Sequence, residues 1–288
     1  MGAQYRKELR QSFCNMTAVT FIALLLILTG IYATVFNFYS GYPNFEITLS
    51  NISFIFFLVV PILTMRSFAE EKSNKTDQLL YSLPMGLTKV VIGKYLAMVT
   101  VHAIAVLIMA FYPIILSFYG EVNLMTSYSS LFAFFLLGCV LIAIGMFISS
   151  LTESIVLSAV ISFGAFILLY LMTALSMMIP TGAMVSLFCF IAVALVIGII
   201  VFLTVKSSTV GLIASFVLVA AAVAVYLVNS SLYENLFPTV LQTLAVFDRL
   251  SMFVSYDIFD ISAVIYYVSL ICLFVYFTVR SMDKKRWS

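Results

Sequence analysis

The chain has 288 residues, of which 64% are hydrophobic and 9% charged, with a formal net charge of +2. Soluble domains carry roughly a quarter charged residues and about half apolar ones, so this composition excludes an ordinary soluble fold. A membrane-spanning helix needs about 20 predominantly apolar residues, and the 14 Lys and Arg and 12 Asp and Glu fall in clusters that leave runs of that length between them.

Tyr5, Leu9 and Phe13 recur at helical spacing while Arg6, Lys7 and Arg10 take other faces. That pattern predicts a helix over 1–13 lying in the membrane interface, against the simpler reading of a basic flank. The apolar run after Arg10 is longer than a signal-peptide core and shows no small-residue cleavage site, so it is read as a retained first span within Gln11–Phe45. Gly41, Pro43 and Asn44 make a turn-rich connection. A second run, Ile47–Met65, contains Pro61, which neighbouring helices can accommodate as a kink.

The polar stretch 66–89 follows. It sets Phe68 before the acidic pair Glu70-Glu71, then Leu79, Leu80 and Leu83 before Pro84, which would stop a helix. A solvated loop has little use for those leucines. They fit a short helix docked in another protein's groove, with Glu70, Glu71, Lys72, Lys75 and Asp77 setting its register, and equally a helix resting on lipid.

Further runs are Tyr95–Gly120, Val122–Thr152, Ser154–Val205, Ser207–Tyr233 and Ile261–Val279. Pro180-Thr181-Gly182 divides the longest into two, giving eight spans. Segment 230–260 is the largest outer connection, where Leu241, Leu244, Phe247 and Leu250 after Pro238 predict a short surface helix. An even span number puts both termini on one side. With that side cytoplasmic, every Lys and Arg except Arg249 is cytoplasmic, as the positive-inside rule requires.

Catalytic signatures do not emerge. Gly86 to Gly93-Lys94 only approaches a phosphate-binding loop: its glycines are too far apart, and Tyr95 stands where the Mg²⁺-binding hydroxyl belongs. The single histidine, His102, offers no His-Glu-x-x-His metal set. An ionisable residue in a span is a functional candidate by default, although His102 could equally hydrogen-bond a neighbouring helix. Cys14, Cys139, Cys189 and Cys272 lack paired spacing and read as small hydrophobes. An ion-coupled secondary transporter is the rival reading, but such carriers place ionisable residues deep in the membrane, and here every Asp, Glu, Lys and Arg is predicted at a span end or loop.

Phe68-Ala-Glu-Glu-Lys72, Thr76, Leu79-Leu80, Pro84 and Gly93-Lys94-Tyr95-Leu96-Ala97 resemble the signature after the second span of ABC-2 type permeases. The tail, from Asp257-Ile258-Phe259-Asp260 through Val264-Ile265-Tyr266 to Thr278-Val279-Arg280 and Lys285-Arg286-Trp287, resembles the gliding-motility-associated subfamily. The resemblance implies an all-α integral membrane protein. It would be a polytopic helical bundle of about eight transmembrane helices, one permease domain over 1–288, with an N-terminal interfacial helix and a cytoplasmic coupling helix in 66–89.

By the same resemblance the chain is an exporter subunit of a bacterial cytoplasmic membrane. It is energised by a separate ABC ATPase subunit that brings ATP and Mg²⁺, binds no cofactor itself, and pairs with a second permease of the same or a different chain. Its partners are protein and membrane lipid, not nucleic acid. Phe68, Glu70, Glu71, Lys72, Thr76, Leu79 and Leu80 become the expected ATPase-coupling positions. Two departures stand out: Lys75 occupies the place of an expected glycine and Gln78 that of a frequent acid. The family's core also has six spans, so the surplus lies between the fifth and the last.

Overall fold

An apolar run in hydrocarbon has no partner for its backbone amides except itself, and the helix is the solution. The computed structural model describes residues 2–76, 86–205, 208–255 and 260–286, and among them all regular structure is helical. The helices are α1 (Gly2–Cys14), α2 (Thr17–Ala33), α3 (Phe45–Ile52), α4 (Phe56–Thr64), α5 (Ala69–Ser73), α6 (Leu87–Met109), α7 (Phe111–Ser117), α8 (Leu124–Leu151) and α9 (Ile155–Met178). They continue with α10 (Ala183–Val205), α11 (Ser208–Val228), α12 (Leu236–Leu244), α13 (Asp248–Ser255) and α14 (Ile261–Arg286).

Among the described residues, six stretches are long and apolar enough to cross a membrane: Thr17–Tyr39, Phe45–Ser73, Leu87–Ser117, Leu124–Leu151, Ile155–Met178 and Ile261–Lys284. The expected sixth and seventh spans correspond to α10 and α11, whose described apolar stretches, Ala183–Gly198 and Ser215–Leu227, are shorter. Lys206 and Ser207 between them lie outside the described residues.

The chain forms two units, 1–168 with 246–288, and 169–245. In the first, α8 is the central helix, packed by α3, α4, α6, α13 and α14. Its enclosure is visible in Phe134, Leu137, Val140, Leu141, Ile142 and Ala143, all fully buried. Full burial of a large apolar side chain contributes about 1.5–3 kcal/mol relative to water exposure; among helices already in lipid, close packing supplies the attraction instead. Two glycines on α8, Gly138 and Gly145, let neighbours approach closely: an added Cβ would lie 2.2 Å from His102 Nε2 and 2.4 Å from Thr64 Oγ1 respectively.

The second span carries two irregularities. α4 runs through Pro61, and the departure from α-geometry lies upstream, in the 3₁₀ turn Ser53–Ile55. Before it, α2 ends in a π-helical turn, Thr34–Tyr39, and Asn37 pins the connection: Nδ2 donates to the Tyr42 and Asn44 carbonyls at 2.8 and 3.2 Å, and Oδ1 accepts from Thr48 at 2.7 Å. Gly41 supplies the positive φ of 71° that this turn requires. Phe118 and Tyr119, expected in an aromatic belt, are exposed, as interfacial rings should be.

The expected single surface helix after Pro238 is two helices, α12 and α13, separated at Ala245–Phe247. The sequence pattern missed the break because the apolar spacing continues across it. Phe247, Leu250 and Phe253 are buried in the first unit, and the Tyr267 hydroxyl of α14 donates to the Val246 carbonyl at 3.1 Å. Asp260 caps α14, accepting from the Ser262 amide at 2.8 Å and hydroxyl at 3.0 Å. The Ser262 hydroxyl, with the amides behind it, holds that carboxyl below its ordinary value.

In the second unit α10 packs along α11, and Tyr233 closes their end. Its hydroxyl donates to the Ala222 carbonyl at 2.8 Å, and its ring meets Phe190 and Tyr226 edge-on.

Candidate functional site

The stretch after α4 is built around Ser149, near the end of α8. Phe68 caps the N-terminus of α5 but gives no side-chain bond to it, leaving the first amides in need of acceptors. Ser149 Oγ supplies one from outside, accepting from the Phe68 and Ala69 amides at 3.1 Å each and donating to the Met65 carbonyl at 3.2 Å. The Phe68 ring beneath this turn is 1% exposed. Lys72, one turn further along α5, donates to the Ser150 carbonyl. That carbonyl belongs to the last turn of α8, where a cation satisfies an unpaired acceptor and complements the helix dipole.

Lys94, rising from α6, holds the other side. Its ammonium donates to the Ser67 carbonyl at 2.8 Å and to Glu71 Oε1 at 2.8 Å, pairs with Glu8 Oε1 at 3.1 Å, and lies 5.1 Å from the Phe68 ring centroid. It is 3% exposed. Beside it is a cavity of about 40 Å³ lined in part by Glu8, Ser12, Arg66, Ser67 and Glu70. A polar space of this size admits water.

α5 ends in a Schellman motif. The Thr76 amide donates to the Glu71 carbonyl at 2.8 Å and the Lys75 amide to the Lys72 carbonyl at 3.0 Å, while Thr76 Oγ1 also reaches Glu71 O at 3.1 Å. The motif puts its C′ residue in the left-handed region, usually as glycine, and Lys75 sits there with φ of 56°. This gives a physical reason for glycine at that place. Lys75→Gly is expected to stabilise the segment by about 1 kcal/mol by removing the Cβ conflict, read as slower proteolysis between α4 and α6 with the rest of the chain unchanged.

Of the seven expected coupling positions, the fold therefore brings five together. Phe68 and Lys72 are buried, Glu71 is ion-paired, Thr76 closes the helix, and Glu70 is half-buried at the cavity. Leu79 and Leu80, with Leu83 and Pro84, lie outside the described residues. The surface turned outward here is Ser73, Asn74, Lys75 and Thr76. Sequence reasoning missed Ser149, Ser150, Lys94 and Glu8 as members of this site. The local signal for Lys94 was its place in Gly93-Lys94-Tyr95, a near miss for a phosphate loop that also belongs to the stretch resembling ABC-2 type permeases.

α1 forms as expected, with a different orientation of its stripe. Phe13 is exposed, but Tyr5 turns inward, its hydroxyl 3.0 Å from Thr100 Oγ1 of α6. α1 also passes close to α6 at Gly93, where an added Cβ would make ordinary contacts, 3.4 Å from Gln4 Cβ and 3.6 Å from the Tyr5 amide nitrogen. His102, the other candidate, is fully buried against Phe135, stacked at 5.4 Å, with Phe21 and Phe56 edge-on at 5.9 and 5.6 Å. Neither ring nitrogen meets a hydrogen bond of strict geometry among the described residues, and the interhelical partner offered to the ring is the Phe135 backbone of α8.

Helices of this length and apolarity, packed on a central span, define an all-α, multi-pass membrane protein. Residues 3–181 match the family described as ABC-2 family transporter protein. The chain belongs to this family, whose members are membrane subunits of ABC transporters and work with an ABC ATPase. No curated protein matches the chain significantly. The matched region ends at 181, so α10 and α11 lie beyond it, where the surplus spans were expected.

Proposed function

We propose that the chain is the permease subunit of an ABC exporter, energised by a separate ATPase subunit that docks on segment 66–89 and supplies ATP and Mg²⁺. A second permease, of the same or a different chain, completes the pathway. Both termini and 66–89 face the cytoplasm, in a bacterial inner membrane, and the subfamily is the gliding-motility-associated one. The observation that carries this reading is the fastening of α5. Ser149 caps its start, Lys72 seats on the end of α8, and Lys94 holds Glu71. A surface loop needs no such anchoring, whereas a segment that passes a partner's motion to the central span does. Family membership supports the ATPase partner, and the placement of Lys and Arg supports the orientation.

The test is an affinity pull-down of the tagged chain from its native host, comparing wild type with Leu79→Glu, Leu80→Glu. An ATPase subunit recovered with wild type and lost from the variant, with the variant still inserted and monodisperse, is the expected result. Wild type purifying alone would overturn the proposal.

A further inference from the structure

The site holds one cation between two carboxylates on different elements. Lys94 donates to the Ser67 carbonyl in the connection after α4 and to Glu71 Oε1 of α5, and forms an ion pair with Glu8 Oε1 of α1 at 3.1 Å. Glu8 is itself braced by Gln4, whose Nε2 donates to Oε1 at 2.9 Å, and α1 lies against α6 at Gly93 and Thr100. Charge-assisted bonds of this kind, at 3% exposure, act with little solvent screening. Removing the cation would leave two carboxylates facing each other across the vacated position.

We propose that Lys94 is a positioning residue that ties the interfacial helix α1 to segment 66–76, so that the two move as one body when the segment is displaced. Glu8 is the α1 half of this tie and Glu71 the segment half. The displacement would then reach the membrane surface through α1 as well as the span through α6. The inference rests on the reading of this segment as the one an ATPase moves, although the tie itself is a property of the chain alone.

Spin labels at Arg10→Cys on α1 and Asn74→Cys at the end of α5, both exposed positions, report it by pulsed electron resonance, with the four native cysteines replaced by alanine. In the chain alone, in lipid nanodiscs, the label distance is expected to be a single narrow peak. Glu8→Met, which removes the α1 partner while leaving Lys94 with Glu71 and Ser67, is expected to lose that peak to a broad distribution. Lys94→Met should do the same where it folds. In the complex with its co-purified ATPase, trapping with ATP and vanadate is expected to leave the distance unchanged in wild type and to lengthen it in Glu8→Met. A merely structural contact would not produce that nucleotide-dependent difference.

A Glu8→Met peak as narrow as wild type, or a wild-type distance that shifts with nucleotide, would overturn the proposal. Failure to recover any ATPase would defeat the functional reading, while the chain-alone comparison would still decide the tie.

Discussion

Alanine at Gly138 is expected to cost at least the 1–3 kcal/mol typical of an overpacked core, and to leave little monodisperse protein after extraction. Its Cβ would lie 2.2, 2.7 and 2.8 Å from three atoms of the His102 ring. That ring cannot retreat easily, because Phe135 stacks on it and Phe21 and Phe56 close its edges. Thermal unfolding of the purified chain, followed by size-exclusion recovery after heating, measures the loss.

The decisive comparison is a second-site one. If the clash with His102 is the cause, His102→Ala with Gly138→Ala should be more stable than Gly138→Ala alone. Equal instability in the two would place the damage elsewhere. Gly145→Ala, two turns along the same helix, should be milder. Its Cβ meets Thr64 Oγ1 at 2.4 Å, a contact that a turn about χ1 relieves for the loss of the bond from Oγ1 to the Val60 carbonyl, while Thr64 Cβ at 3.0 Å asks for a helix shift of a few tenths of an ångström.

The spans were legible because a single physical rule decides them: charge is excluded from hydrocarbon, so gaps between charges mark helices. What neither that rule nor hydrophobic periodicity resolves is which side of a helix meets which neighbour. Glu71 and Lys72 read as polar residues available to a partner, yet their partners are Lys94, 23 positions away, and the Ser150 carbonyl, 78 positions away. Phe68 read as part of a docking surface and is a buried peg. The glycine expected at position 75 was a legible clue of a different kind, since it named a backbone conformation that Lys75 in fact adopts. His102 illustrates the opposite case: its burial followed from its place in a span, but its aromatic surroundings come from α2, α4 and α8 and leave no trace at positions near it in sequence.

Ser149→Ala is expected to detach the start of α5 while leaving the bundle intact. The hydroxyl serves three backbone groups at once, accepting from the Phe68 and Ala69 amides and donating to the Met65 carbonyl. The residue is fully buried, and alanine would leave those groups unpaired in a site where each unsatisfied polar atom costs about 1–3 kcal/mol. The cheapest relief is local: α5 lifts from α8, and Phe68 follows it out. Global melting should therefore fall modestly, whereas amide exchange at 66–73 should accelerate strongly, because local opening no longer breaks the Ser149 bonds. Lys72 and Lys94 would still hold the far end of the helix, so Ser149→Ala combined with Lys72→Met should exchange faster than either alone. If exchange at 66–73 is unchanged by Ser149→Ala, the hydroxyl is not what fastens the segment. In that case Lys72 on the Ser150 carbonyl and Lys94 on Glu71, with Phe68 buried beneath the turn, carry the anchoring.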